Sequence, residues 1–376
     1  MAFGTSWREG LARFLSRQRL PFHHPGQAEN KGAAELRLCR SNHCSGNRKG
    51  RQQFHAGKSG NRICFSGSGC PTSSRSRSLA ASYPRLSRGS APSHATIRSN
   101  MAVNDPINYA LGNTDAEHER LIRQAARFAP FTERLFRDAG ISPGQRVLDL
   151  GSGMGDVAML VARIVGSTGE VVGVERDGRS IARAQKRIRE AGLRNISLVQ
   201  CDASELPGER PFDAAVGRLI LQFLPDPVAV LRSISRLIRR GGIIAFQEPS
   251  WKPFLALCSC MPLWSACGVL AVAAFEGAGA NAEMGLALPG VFERAGLPSP
   301  QMRMEMLLGN DLESARWTSD LLQSLLPQIN RIELPLEKVG NVETLTERLS
   351  QEAMASGKAA PCVALIGAWC VKSELN

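Results

Sequence analysis

The first hundred residues almost lack acidic side chains, with three acids against 17 lysines and arginines. The remaining residues are nearly neutral, with 29 basic and 31 acidic side chains, so the formal charge of +12 belongs to the amino-terminal segment. Aliphatic residues are also scarce there, and such a segment buries too little apolar surface to offset the entropy of ordering. We therefore interpret residues 1–100 as a disordered basic extension. A dispensable or non-native segment is favoured over organelle targeting or nucleic-acid binding.

The ten cysteines include no CxxC pair, and the closest two, Cys258 and Cys260, form CxC. This spacing favours buried cysteines that act as small apolar side chains over a zinc or redox site, and we predict no metal. The amino terminus also lacks the uninterrupted apolar stretch of a secretory signal, so we expect a cytoplasmic protein.

Residues 254–275 form a run of 22 residues without a charge, which is long enough to span a membrane. Pro262 and Gly268 interrupt the run, and it lies between two predicted strands of one sheet. We therefore predict buried lid helices and no membrane span.

From residue 101 onward, short apolar segments alternate with amphipathic ones. The pattern predicts strands at 146–150, 170–175, 196–200, 212–217 and 243–249. Helices are predicted at 155–165, 178–192 and 227–240. Strands that alternate with helices of this length indicate an α/β fold with a doubly wound, mostly parallel sheet.

The segment VLDLGSGMGD at 147–156 places Gly151, Gly153 and Gly155 directly after a predicted buried strand. Glycine allows the backbone to turn sharply and to lie against a ligand where a Cβ would clash. In such sheets, ligands bind outside the carboxyl ends of the strands. A dinucleotide fingerprint requires G-x-G-x-x-G, but Asp156 stands where the third glycine would be.

Acidic residues end the next two predicted strands. Glu175 ends the second strand, where a carboxylate can accept both hydroxyls of a ribose. Asp202 follows the third strand and could accept a hydrogen bond from the exocyclic amine of a base. Together with the glycine spacing, these two acids suit a cofactor that contains adenosine and no phosphate.

Five motifs occur in the order and spacing of a known family: VLDLGSGMGD, VVGVER, CDASELP, FDAAVGRLILQFLPDP and RRGGIIAFQEP. The chain resembles the class I S-adenosylmethionine-dependent methyltransferases, particularly the small-molecule branch that includes the ubiquinone and menaquinone methyltransferases. The resemblance covers roughly residues 106–376. It implies a Rossmann-like fold with a seven-stranded, mostly parallel sheet and helical insertions. The methyltransferase domain would span 101–376, with a cap at 105–140, a cofactor-binding core at 141–250, and a lid with carboxy-terminal strands at 251–376.

The resemblance also implies which residues bind S-adenosylmethionine. They come from the cap, the glycine turn and the strand ends: Tyr109, Arg120, Asp149, Gly151, Ser152, Gly153, Gly155, Glu175, Arg176, Asp202, Ala203 and Arg218. By this resemblance, Asp149 orients the glycine turn, while Gly151 and Gly153 pack on the methionine part. Glu175 holds the ribose, and Asp202 contacts the adenine together with Ala203.

Two further groups of residues take their expected roles from the same resemblance. Tyr109, Arg120 and Gln124 would approach the methionine carboxylate. Arg218 and Gln222 would flank the cofactor at the end of the fourth strand. Quinone methyltransferases often carry histidine at the position of Gln222, so this residue argues against a quinone as the methyl acceptor.

Methyl transfer from a sulfonium is an in-line displacement, and the protein mainly has to bring the nucleophile close and exclude water. A general base is needed only when the acceptor must lose a proton. Glu117, His118 and Glu248 are candidates, but we expect His118 on a solvated helix face and assign the catalytic role to none of them. The apolar segments 254–275 and 311–356 favour a small, largely apolar or aromatic acceptor.

Three alternatives remain open. One is a non-enzymatic binding module on the same fold, against which the intact glycine turn argues. Another is an NAD-dependent oxidoreductase, which the glycine spacing disfavours. A nucleic-acid methyltransferase is disfavoured by the nearly neutral charge of residues 101–376 and by the lack of an Asn/Asp-Pro-Pro-Tyr/Phe motif. The oligomeric state is left open.

Overall fold

The computed structural model describes residues 111, 114–203, 205–206 and 210–373. The predicted extension at 1–100, the start of the predicted cap and Tyr109 lie outside the described residues.

Seven strands form the central sheet, in the order β3-β2-β1-β4-β5-β9-β6. They are β1 (Arg146–Leu150), β2 (Glu170–Glu175), β3 (Ile196–Gln200), β4 (Phe212–Arg218), β5 (Ile238–Ser250), β6 (Gln301–Glu305) and β9 (Ala364–Val371). The first five run parallel, and β9 is antiparallel to both β5 and β6. Two short strands, β7 (Leu308–Gly309) and β8 (Ala360–Pro361), pair with each other. The predicted seven-stranded, mostly parallel sheet is therefore confirmed.

Nine α-helices accompany the strands in the described part of the chain. They are α1 (Asp115–Ala139), α2 (Asp156–Val165), α3 (Gly178–Glu190), α4 (Pro227–Leu237), α5 (Lys252–Leu257), α6 (Pro262–Gly277), α7 (Met284–Arg294), α8 (Leu312–Arg331) and α9 (Leu345–Ser356). Short 3-10 turns occupy Leu221–Phe223 and Cys258–Cys260. Among the described residues, no helix is both long enough and apolar enough to cross a membrane.

The five inner strands, β2, β1, β4, β5 and β9, are buried on both faces, as their nearly continuous apolar sequences predict. Successive side chains of a strand point to opposite faces, so Val147 faces α1 and α2 while Leu148 faces α4 and α7. Helix α1 begins at its N-cap Thr114, whose side chain accepts a hydrogen bond from the backbone of Glu117, and it ends at Gly140 in the left-handed region. These two caps fix the helix that crosses the carboxyl ends of the strands.

One predicted boundary is wrong. The helix predicted to reach residue 240 ends at Leu237, and β5 already begins at Ile238. Ile238 pairs with Phe212 of β4, and the Arg239 guanidinium donates to Asp213 at 2.6 Å, so this segment joins the sheet. Gly241 adopts a φ of +68°, which lets the chain turn there.

The uncharged run at 254–275 forms most of α5, one 3-10 turn and most of α6, so it is helical as predicted. Of the six cysteines in the described residues, Cys258, Cys267, Cys362 and Cys370 are buried. Only Cys260 is exposed, and all six are free thiols. This burial agrees with cysteines that act as small apolar side chains.

Candidate functional site

A cavity of about 530 Å³ opens at the carboxyl ends of the parallel strands. Its floor consists of the glycine turn after β1 and of the residues that end β2, β3 and β4. One face of α1, the segment after β5, and side chains of α6 and α8 form its walls. The cavity therefore joins the predicted cofactor site to the predicted lid.

The glycine turn has the backbone geometry that only glycine adopts easily. Gly151, Gly153 and Gly155 have φ angles of +65°, +49° and +79°. A Cβ on Gly151 would lie 2.6 Å from Cδ1 of Ile220, whereas a Cβ on Gly153 would meet nothing closer than 3.9 Å. Gly153 thus leaves open space beside the cavity, where a ligand can lie against the backbone. Gly155 does not line the cavity and packs against Ala184 of α3 instead.

Glu175 lies at the cavity and is held by backbone amides. Its Oε2 accepts from Gly153 at 3.0 Å, and its Oε1 accepts from Arg176 and Asp177 at 2.9 Å each. A carboxylate has about four lone-pair sites, so it can still accept from a ligand hydroxyl. Ser152, Arg176, Asp202 and Ala203 also line the cavity.

Asp149 lies in β1 just before the glycine turn, and Arg218 ends the neighbouring strand β4. Asp149 is fully buried, and burial raises its pKa well above the ordinary value, while Arg218 and the Ala158 amide act in the opposite direction. Arg218 lines the cavity, and its Nη1 donates to Thr132 Oγ1 at 3.0 Å. Burial lowers the pKa of Arg218, whereas Asp156 and Asp149 favour its charged form. No described carboxylate forms a salt bridge with Arg218, although the residue lines the cavity.

Of the described cap residues predicted to approach the methionine carboxylate, Gln124 lines the cavity and Arg120 does not. Arg120 is buried, pairs in bidentate fashion with Glu117 at 2.8 and 2.6 Å, and does not line the cavity. Its Nη1 donates at 2.8 Å to Oε1 of Gln124, which does line the cavity. The guanidinium charge of Arg120 is thus already compensated by Glu117, and Tyr109 lies outside the described residues.

Of the three candidates for a general base, only His118 lies at the cavity. Glu117 is paired with Arg120, and buried Glu248 accepts from the amides of Ile220, Leu221 and Gln222 at 3.0, 2.8 and 3.2 Å. Burial raises the pKa of Glu248 to about 7, against the effect of these three amides.

The expectation of a solvated His118 is wrong, because its side chain is only 3% exposed. His118, Leu121, Gln124 and Phe128 recur at helical spacing, and this face of α1 is the one that lines the cavity. Neither ring nitrogen of His118 has a hydrogen-bond partner among the described residues.

Four aromatic side chains, from α1, the segment after β5, α6 and α8, line the cavity together. Trp251 and Trp317 stack at 6.2 Å between ring centroids and an angle of 25°. Phe275 lies 6.1 Å from Trp251, and Phe128 lies 6.2 Å from Trp317. We call Phe128, Trp251, Phe275 and Trp317 the aromatic wall. The described residues contain no group of three His, Cys, Asp or Glu side chains that could hold a metal ion.

Comparison with known proteins gives matches to methyltransferases. The profile of a family described as "Methyltransferase domain" matches residues 141–280. Aklanonic acid methyltransferase from Streptomyces sp. strain C5 is 40% identical over 155 residues, which cover 40% of this chain and 69% of that protein. Demethylmenaquinone methyltransferase from Staphylococcus aureus strain MRSA252 is 29% identical over 154 residues, covering 40% of this chain and 63% of the relative.

The match thus spans less than two thirds of the length of the second relative. A crystal structure of a SAM-dependent methyltransferase from Aquifex aeolicus aligns with a TM-score of 0.38 at 16% identity, over 52% of this chain and 93% of that one. With 40% identity over more than two thirds of one curated methyltransferase, the chain belongs to the S-adenosylmethionine-dependent methyltransferases.

Proposed function

We propose that the cavity binds S-adenosylmethionine next to a small, largely apolar or aromatic acceptor and transfers the methyl group between them. The observation that carries this proposal is that one cavity combines the open glycine turn and Glu175 with the aromatic wall. Its size of about 530 Å³ lies in the range of small-molecule pockets.

The residues at the floor of the cavity fit this cofactor. The open space at Gly153 can take the methionine part, and Glu175 can accept from the ribose hydroxyls. Asp202 and Ala203 line the cavity and can contact the adenine. For the methionine carboxylate we propose Arg218 in place of Arg120, because Arg218 lines the cavity without a salt-bridge partner among the described residues, whereas Arg120 is paired with Glu117 and does not line the cavity.

The bound cofactor supplies a methyl group on a positively charged sulfur. The aromatic wall excludes water from the acceptor, which favours displacement by a positioned nucleophile. Where the acceptor has to lose a proton, His118 is the candidate base. Two carboxylates that also line the cavity are less suitable as a base, because each is already engaged. Glu175 accepts from backbone amides, and Asp156 pairs with Arg187 at 2.7 Å.

The two relatives are named for an acid and a quinone as acceptors, which supports a small organic molecule for this chain too. We propose that nucleic acid is not the acceptor, since residues 101–376 are nearly neutral. We also propose that residues 101–376 carry the activity, with the cap, core and lid bounds given above. The cytoplasmic location stays a prediction.

Isothermal titration calorimetry tests the cofactor half of the proposal. The protein should bind S-adenosylmethionine in preference to NAD. Glu175→Ala should weaken that binding by about 2 kcal/mol, because charge-assisted hydrogen bonds are lost. Glu190→Ala is the matched control, since Glu190 is exposed near the end of α3 and should leave the affinity unchanged. Preference for NAD, or equal affinity of the Glu175 variant and the wild type, would reject this assignment.

Methyl-labelled cofactor tests the acceptor. Incubated with a fractionated small-molecule extract, the protein should place the label in a low-mass, organic-extractable product. Label found only in RNA, DNA or protein would contradict the proposal. Cofactor binding with no transfer to any fraction would favour the non-enzymatic alternative.

A further inference from the structure

Gln124 is fixed in one orientation at the cavity. Its Oε1 accepts two hydrogen bonds, from Arg120 Nη1 at 2.8 Å and from Trp317 Nε1 at 3.2 Å. A guanidinium and an indole N–H can only donate, so the amide oxygen must face them and the amide cannot flip. The Nε2 group therefore carries its two N–H donors away from Arg120 and Trp317, and it donates to none of the described residues.

The partners of Gln124 are themselves held in place. Arg120 is buried and anchored by two hydrogen bonds to Glu117, one helical turn earlier. Trp317 is packed between Phe128 and Trp251 of the aromatic wall. Gln124 is thus a preorganised donor, which loses little freedom when it binds a ligand.

The surroundings of Gln124 Nε2 indicate which kind of ligand could accept its hydrogen bond. An N–H group next to apolar rings that stays unpaired when a ligand excludes water costs free energy, so a suitable ligand places an acceptor oxygen there. The aromatic wall favours flat rings, because aromatic pairs gain from offset or edge-to-face contacts beyond the area they bury. Both features lie in the same cavity.

We infer that the methyl acceptor is a planar aromatic molecule with a carbonyl, carboxylate or phenolate oxygen. Gln124 Nε2 donates a hydrogen bond to that oxygen, while the ring packs on Trp251 and Trp317. This inference rests on the proposed function above. It also moves Gln124 from the methionine carboxylate, the role implied by the family resemblance, to the acceptor.

Three naphthalene probes test this inference by calorimetry on the full chain with saturating S-adenosylhomocysteine. Naphthalene has no oxygen, 2-acetonaphthone has a neutral carbonyl, and 2-naphthoate has a carboxylate. The wild type should bind both oxygen-bearing probes about tenfold more tightly than naphthalene, the difference that one hydrogen bond makes. The neutral 2-acetonaphthone excludes a preference that arises only from the charge of Arg218.

Gln124→Glu is the informative variant, because glutamate keeps the side-chain length and can still accept from Arg120 and Trp317, but it has no N–H to donate. The preference for 2-acetonaphthone over naphthalene should disappear. Gln323→Glu is the matched control, since the Gln323 amide on α8 donates to Ser319 and Val342 and does not line the cavity. This control should keep the wild-type preference.

Several results would overturn the inference. One is an oxygen preference that persists in Gln124→Glu, and another is a wild type that binds none of the three probes. If Gln124→Glu loses tenfold in S-adenosylhomocysteine affinity and the order of the probe affinities is unchanged, Gln124 binds the cofactor and not the acceptor. That result would contradict this inference but leave the proposed methyl transfer intact. If the wild type does not bind S-adenosylhomocysteine at all, the proposed function itself fails. If Gln124→Glu has a clearly lower melting temperature than the wild type, Gln124→Met is tested in its place, because methionine removes the donor without adding a charge.

Discussion

The proposed cofactor half of the cavity, formed by the glycine turn and Glu175, and the proposed acceptor half, formed by Gln124 and the aromatic wall, are built from different parts of the chain. In the cofactor half, Glu175 accepts from Gly153, and the contacts join backbone and side-chain atoms of neighbouring strand ends. In the acceptor half, Gln124 meets Trp317 across 193 positions, and Trp251 and Phe275 come from two further elements. The first half therefore depends on local backbone geometry, and the second on how distant helices pack.

The family profile reflects the same division. It matches residues 141–280, which contain the glycine turn, Glu175 and Arg218 but neither Gln124 nor Trp317. A shared sequence pattern thus covers the cofactor half and only part of the acceptor half.

Breaking the buried ion pair behind the acceptor half should have the largest effect. Glu117→Gln leaves the Arg120 charge buried without a counter-charge, and the free energy of unfolding should fall by about 3–5 kcal/mol. Urea denaturation measures this loss. The surface pair Glu133–Arg137 on the same helix is the control, and Glu133→Gln should cost about 0.5 kcal/mol or less.

A double variant completes this test. Replacing both Glu117 and Arg120 with methionine removes the two charges together and should recover most of the lost stability. If Glu117→Gln alone proved as stable as the wild type, the network that fixes Gln124 would not be a rigid one.

The buried Glu248 carboxylate accepts hydrogen bonds from the backbone amides of Ile220, Leu221 and Gln222. Ile220 and Gln222 line the cavity, so Glu248 supports a segment of the cavity lining. Burial raises its pKa from 4.5 to about 7. The unfolded carboxyl ionises above pH 4.5 but the folded one only above about pH 7, so this group's contribution is fully present below pH 4.5 and declines towards pH 7. The decline should amount to about 3 kcal/mol.

Denaturation of the wild type and Glu248→Gln at pH 5 and pH 8 isolates this contribution, since the other titrating groups are common to both proteins. The wild type should lose about 3 kcal/mol more than the variant on going from the lower to the higher pH. Equal pH dependence in the two proteins would mean that Glu248 stays ionised throughout.

The sequence predicted the cofactor half better than the acceptor half, for physical reasons. Strands β1, β2 and β3 match their predicted bounds, because buried apolar runs end at polar or glycine residues. The end of α4 was misjudged, since Gly241 and Gly242 resemble a helix stop, whereas pairing of Ile238 with Phe212 extends the sheet.

For α1, the helical spacing predicted which residues share one face of the helix, but it did not predict which part of the protein packs against that face. His118 was therefore expected in solvent although it lies at the cavity, and the neutralisation of Arg120 by Glu117 was missed. Trp317 lies in the segment 311–356 that was expected to cover the acceptor, but its stacking on Trp251 was not predicted, because that contact depends on tertiary packing.

The smallest effect on stability is expected in the glycine turn, where two glycines can be compared at nearly the same backbone angle. Gly151 has a φ of +65° and Gly192 a φ of +68°, so alanine at either position should cost about 1–2 kcal/mol of stability through strain. Only at Gly151 does the new Cβ meet a neighbour, Ile220, which lines the cavity; at Gly192 nothing lies within 4 Å. Gly151→Ala should therefore also weaken S-adenosylhomocysteine binding about tenfold, because Ile220 and the turn must shift. Gly192→Ala should bind like the wild type in the same calorimetric titration, and equal affinities for all three proteins would show that the geometry of the turn does not control the cofactor half.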